Sequence, residues 1–206
     1  MTATDETDVP LDTASREHRT PHVLMTITGA IGLAAAFQLT VDKFAQLQDK
    51  IDGVDSSFSC DISAFVSCGG VMDSDQASVL GFPNSLLGIV GFSVVMTLGV
   101  LLWAGAPVAR FVWTGLQLGC VLGIAGVTWL QFQSIYRLDL LCPYCMVVWV
   151  VMIPLFVYVT ACSLRGAAPD SAVTRFVTNW SVLIVALWYV GIASAIWFHF
   201  GDRLWA

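Results

Sequence analysis

The chain has 206 residues, 57% of them hydrophobic and 12% charged, with a mean hydropathy of +0.77. That composition, with uncharged runs about 20 residues long, belongs to an integral membrane protein. A net charge of −6, with nine scattered Lys and Arg, argues against nucleic-acid binding, and six cysteines are too few for a disulfide scaffold of this length, so their positions matter more than their number.

Residues 1–22 are polar, rich in Thr and Asp and without apolar periodicity, and are expected to form a disordered cytoplasmic tail. Val23–Val41 is the first of five uncharged stretches. It is long for a signal-peptide core and follows an acidic tail, so a retained anchor is expected. An extramembrane loop from about 42 to 83 comes next and contains "SCDISAFVSCGG", with Cys60 and Cys68 separated by seven residues. The second stretch, Gln76–Ala109, is longer than a span, and "LGFPNS" breaks it. Pro83 followed by Asn84 or Ser85 suits a helix start, which places a helix at about 84–104. Phe111–Tyr136 and Leu140–Leu164 follow, then a loop over 165–175 and the fifth stretch, Phe176–Phe200. Each can cross a hydrocarbon core about 30 Å thick. The expected fold is all-α and transmembrane, with no metal site.

Orientation follows from the basic residues. With the N-terminus inside, the inner segments hold Arg16, Arg19, Arg110, Arg165 and Arg175, against Lys43, Lys50, Arg137 and Arg203 outside. Cys60, Cys68, Cys142 and Cys145 then share the outer face of a bacterial plasma membrane, where disulfides persist.

In "LCPYC", Cys142 and Cys145 open the fourth stretch with Pro143 early in the helix. The unpaired amides and dipole at a helix start favour a thiolate, and sulfurs at i and i+3 can close a small ring. Cys142 is expected to be the outer, more accessible sulfur. Cys145 lies one turn deeper, beside Met146 and Trp149, where a lipid-soluble molecule could dock. Cys60 and Cys68, followed by Gly69 and Gly70, suit a mobile pair in a thiol–disulfide relay. Either pair alone also suits a structural bridge. A zinc site needs two more ligands, and the histidines are His18 and His22 in the tail and His199 at the far end. Asp61 can order the loop or act on the neighbouring thiol, although a solvated loop carboxylate is the first expectation, and Ser85 suits a cap. Cys120 and Cys162 read as small apolar core residues.

"CDISAFVSC", "PNSLLG" and "CPYC", in that order, resemble the vitamin K epoxide reductase family and its bacterial homologues. The resemblance covers about residues 23–164 and implies a four-helix transmembrane core, with a fifth helix in 176–206. It implies that Cys142 and Cys145 are the active-site pair beside a quinone, menaquinone or ubiquinone, and that Cys60 and Cys68 are the shuttle pair. Asn84 matches the position that hydrogen-bonds a quinone oxygen. Trp149 stands where animal members have a tyrosine, and Met72 where they have an aromatic near the pocket; Met146 is a further pocket candidate. Many bacterial relatives carry a fused thioredoxin-like domain. With the chain ending at Ala206, a separate thioredoxin-like thiol protein is the expected partner, alongside membrane lipids. The implied activity is disulfide formation with electrons passed to a quinone. The alternatives are vitamin K epoxide reduction proper, or a non-catalytic membrane protein with structural disulfides.

Overall fold

A computed structural model describes the backbone of residues 11–53, 60, 61, 63 and 65–204, and the side chains of those within 22–201. Among them the helices are α1 (Leu11–Asp52), α2 (Cys68–Met72), α3 (Asn84–Trp103), α4 (Arg110–Gln133), α5 (Pro143–Ala167), α6 (Ala172–Asn179) and α7 (Ser181–Leu204). A 3-10 turn spans Asp75–Ser78, and a π-turn at Ser134–Leu138 continues α4. Five helical segments are long and apolar enough to cross a membrane: His22–Asp52, Asn84–Trp103, Arg110–Leu138, Pro143–Ala167 and Ser181–Gly201. The protein is an all-α, multi-pass membrane protein.

The four-helix bundle is α1, α3, α4 and α5. α1 packs along α3 and α5, α4 packs on α5, and α7 lies outside the bundle against α5. The centre of the core is therefore α5, whose Val151, Met152, Ile153, Leu155 and Val159 are buried with Met25 of α1 and Cys120 of α4. Cys120 fills the small apolar role its position implies.

Helix association within lipid gains little from the hydrophobic effect and relies on close backbone approach. The α1–α3 seam shows this at two glycines. A Cβ on Gly99 would lie 2.7 Å from Thr26 N, and one on Gly29 would lie 2.7 Å from Met96 N. These neighbours are backbone atoms, so the helices themselves would have to separate. Gly99→Val is expected to destabilise the bundle by about 1–3 kcal/mol, as overpacking does elsewhere. Gly126, with open space around its Cα, should accept alanine without loss. Thermal unfolding of both variants in detergent checks the contrast.

The attachment of α7 follows from a proline. Pro154 sits inside α5 and has no N–H to give the Val150 carbonyl four residues earlier. That carbonyl is taken up by Tyr189 of α7, whose hydroxyl donates to it at 2.5 Å. A backbone group freed within the membrane thus finds its partner on the neighbouring helix, as the apolar phase requires.

Three boundaries differ from expectation. Residues 11–22 of the expected tail belong to α1; residues 1–10 lie outside the described residues. Extension from an existing helix needs no new nucleus, and Ala14, Arg16 and Glu17 favour it. At its other end α1 runs eleven residues past Val41 to Asp52, so the outer loop starts at Gly53. Those added turns dock α2: Lys43 Nζ donates to Met72 O at 2.7 Å, Gln46 Nε2 to Gly69 O at 3.2 Å, and Lys50 pairs with Asp73 at 2.6 Å. Finally, the stretch expected as one span over Phe176–Phe200 is divided at Trp180 into α6 and α7. Ser171 caps α6, and the Ser181 hydroxyl bonds back to Thr178 O, a local competition that interrupts the helix.

Candidate active site

All four motif cysteines gather at one end of the bundle. Cys60 and Cys68 are joined as a disulfide, and Cys142 Sγ lies 3.6 Å from Cys68 Sγ, so three sulfurs stand in sequence. Cys142 and Cys145 are free thiols.

The loop that carries Cys60 and Cys68 is held from several sides. Asp61 Oδ1 accepts hydrogen bonds from Cys68 N at 2.9 Å, Gly69 N at 3.2 Å and the Ser67 hydroxyl at 2.8 Å. Asp61, expected first as a solvated carboxylate, has contacts that support the ordering of the loop instead: a carboxylate at the start of α2 meets amides that lack helical partners. Ser67 is the N-cap of α2 and accepts from Gly70 N. Leu141, directly before Cys142, donates to Phe65 O at 2.8 Å, and its carbonyl accepts from Ser67 N at 3.1 Å. This short parallel pairing fixes the register that brings Cys68 over Cys142.

Cys142 is the N-cap of α5, with Pro143 at the first helical position as expected. Its sulfur accepts from Cys145 N at 3.4 Å. The Cys145 side chain hydrogen-bonds to this sulfur and, with the Cys145 and Tyr144 amides, holds the Cys142 thiol below its ordinary range, against the opposing effect of burial. The exposure order is the reverse of that expected: Cys142 is 0% exposed, whereas Cys145 is partly accessible. The physical reason is the loop, which seats Cys68 directly on Cys142. Cys60, at 5%, is buried as well.

Cys145 instead opens on a cavity of about 150 Å³ between α1, α3, α4 and α5. Its walls include Leu39, Met72, Phe92, Val148 and Trp149, with Asn84 and Ser85 at the start of α3. Trp149 is 4% exposed and Met72 7%, so both are packed into the wall. Met146 does not line the cavity. It packs into the adjoining cluster of Ile135, Leu141, Trp149 and Phe200.

Asn84 and Ser85 both differ from caps. Pro83 holds the N-cap position of α3 without any side-chain bond. Asn84 Nδ2 donates to Gln76 O at 2.7 Å, and its Oδ1 accepts from Val79 N at 3.2 Å, which ties the 3-10 turn over the cavity mouth. Ser85 accepts from the Thr40 hydroxyl at 2.8 Å, linking α3 to α1. An amide has two N–H donors and two acceptor lone pairs, so Asn84 retains capacity toward the cavity. Lys43 and Gln46 are positioning residues that motif reading missed; the signal that could have found them is the helix-forming run continuing past Val41.

An apolar cavity with a thiol and an indole in its wall and the amides of Gln76, Asn84 and Gln133 in its lining fits a flat, lipid-soluble carbonyl compound such as a quinone. The described residues contain no group of three or more His, Cys, Asp or Glu able to hold a metal ion. Among known families, that of vitamin K epoxide reductase matches residues 23–160, about two thirds of the chain, from within α1 through most of α5. No curated protein sequence matches.

Proposed function

We propose that this chain, which belongs to the vitamin K epoxide reductase family, generates disulfides in an extracytoplasmic thiol protein and passes the electrons to a quinone through its two cysteine pairs. Family membership makes it a membrane oxidoreductase of the disulfide-generating or quinone-linked kind; the partner, route and acceptor are our reading. One observation carries it: Cys142 touches Cys68, while Cys145, one helical turn away, faces an apolar cavity.

In the proposed cycle a thiolate of a thioredoxin-like partner attacks Cys60 in the Cys60–Cys68 disulfide and releases Cys68 as thiolate. Cys68 attacks Cys142 of an oxidised Cys142–Cys145 pair, so the Cys68–Cys142 bond forms as Cys145 leaves. The partner's second thiol resolves its bond to Cys60, and Cys60 then attacks Cys68. The shuttle disulfide is restored, and Cys142 and Cys145 are left holding the two electrons. A Cys60–Cys68 disulfide beside two free CxxC thiols is the arrangement at that point. A bound quinone would supply the acceptor for two electrons and two protons. The protein's part is to hold Cys145 at the cavity wall and to keep Cys142 close to its thiolate form. Asn84 orients the acceptor, and Trp149 and Met72 exclude water. Menaquinone and ubiquinone both suit the cavity, and the cysteine face is the outer one.

The test is thiol mapping. Purified, fully reduced protein is alkylated before and after menaquinone is added, and the remaining thiols are located by mass spectrometry. Protection of Cys60, Cys68, Cys142 and Cys145 as two pairs supports the relay; four cysteines that ignore the quinone would sink it. A second measurement addresses Asn84. Asn84→Asp keeps the acceptor for Val79 N but loses the amide donor, and is expected to raise the menaquinone KM about tenfold, the scale of one lost hydrogen bond. An unchanged KM removes Asn84 from the site.

A further inference from the structure

α7 lies beyond the residues matched by the family, yet its cysteine-side end touches both segments that carry the reacting sulfurs. His199 Nε2 lies 2.5 Å from Asp139 Oδ1, so the ring N–H donates to the carboxylate of the turn that ends α4. Asp139 has φ 52°, a left-handed conformation that a residue with a Cβ adopts only with local support. It stands three residues before Cys142. Its N–H and that of Leu140 both donate to Ser134 O, and the Ser134 hydroxyl donates to Leu140 O. The Tyr136 ring stands edge-on to His199 at 5.1 Å.

Phe200, the next residue on α7, is fully buried, and its ring meets Phe65 edge to face at 6.3 Å. Phe65 belongs to the loop between Cys60 and Cys68, and its carbonyl receives the Leu141 N–H. One turn of α7 therefore grips the run 139–142 through His199 and the run 65–68 through Phe200, while Leu141 clips the two runs to each other. Tyr189, bonded to the Val150 carbonyl at mid-span, keeps α7 from sliding along α5.

We propose that His199 and Phe200 are positioning residues that hold Cys68 within attacking distance of Cys142, so that the fifth helix is part of the relay's machinery as well as a membrane span. The proposal rests on the relay described above. Exchange requires the sulfurs to close from 3.6 Å to a bond of about 2.05 Å, with the leaving sulfur in line. Misplacement by about 1 Å can cost two orders of magnitude in such a step.

The test uses the full chain in detergent with Cys60→Ser and Cys145→Ser, which leaves Cys68 and Cys142 as the relay sulfurs. Mild oxidation with copper–phenanthroline joins them, the two thiols giving two electrons to the copper and two protons to solvent. The rate is read from the cross-linked peptide by mass spectrometry. His199→Gln and Phe200→Leu are each expected to slow this bridge about tenfold. In the chain with all its cysteines, the same substitutions should lower kcat for dithiothreitol-driven menaquinone reduction by a similar factor. The bridge rate involves no quinone, so it separates the placing of Cys68 from any change at the cavity, whose wall residue Trp149 shares a core cluster with Phe200. If the bridge forms at the background rate in both variants, or slows only in step with a lower thermal midpoint, the positioning role is overturned and the relay stands. If the background protein itself forms no Cys68–Cys142 bridge, both readings fall together.

Discussion

Replacing Cys145 with alanine should reduce thiol-to-quinone turnover by roughly 10³-fold or more, the scale seen when one member of a reacting unit is removed. Cys142 cannot substitute for it, being 0% exposed and covered by Cys68. Among the described cysteines only Cys145 lines the cavity, and only as a pair can the two thiols give up two electrons and close a disulfide. The variant should nevertheless fold, because the change removes one small atom from a partly open wall. With its pair gone, the Cys142 thiolate can attack only Cys68, forming a Cys68–Cys142 bridge and releasing Cys60. Turnover assays with dithiothreitol and menaquinone, followed by alkylation mapping, check both statements. A pH series adds a sharper comparison. The Cys145 side chain is the largest of the influences that hold the Cys142 thiol below its ordinary range, so its loss moves that thiol back up. The rate of bridge formation should rise about tenfold per pH unit while Cys142 is protonated, as expected when only the thiolate attacks. It should level off at a higher pH in Cys145→Ala than in Cys145→Ser, where a hydroxyl can still donate to Cys142 Sγ. Identical profiles for the two variants would show that the side chain does not tune its neighbour.

Much of this architecture could be read from the amino-acid sequence, because bilayer thickness turns hydropathy into helix count. Five uncharged stretches became five spanning helices, and the order of the two cysteine pairs pointed to the family. What escaped were features that depend on contacts between distant residues. Asp42, Lys43, Asp49 and Lys50 look like the start of a loop because charge marks the end of a span. They form helix because Lys43, Gln46 and Lys50 reach α2 and Asp73. Cys142 read as exposed because a helix start usually faces water, and only the docked loop buries it. Asn84 and Ser85 carry the residue types of caps, yet their side chains are taken by the 75–79 turn and by Thr40. Met146, next to the cavity-lining Cys145, packs instead into the cluster that Phe200 of α7 completes, a distinction that requires knowing where α7 packs. The role of Pro154 was equally hidden, because its consequence is borne by a hydroxyl 35 residues later.

The second large effect concerns the other pair. Cys60→Ala should halt the relay after one exchange and leave a stable Cys68–Cys142 disulfide. Cys68 stands 3.6 Å from Cys142 and is held there by the Leu141 pairing, by Asp61 and by the struts from α1, none of which involves the Cys60 side chain. Its thiolate can therefore still attack an oxidised Cys142–Cys145 pair and release Cys145. The next step fails, since Cys60 is the sulfur that would displace Cys142 from Cys68. Cys145 can reverse the exchange, but a menaquinone-poor, reducing preparation gives it no other outlet, and burial of both bridging sulfurs shields them from small thiols. Cys68→Ala should behave differently. No sulfur then contacts Cys142, the CxxC pair stays oxidised, and no internal cross-link forms. Peptide mapping under non-reducing conditions separates the two cases. A Cys68–Cys142 bridge in Cys60→Ala and none in Cys68→Ala fixes the direction of transfer. A bridge between Cys60 and Cys142 in Cys68→Ala would instead mean that the loop moves far enough for either sulfur to reach the active-site pair, and the ordered sequence of three sulfurs would no longer describe the route.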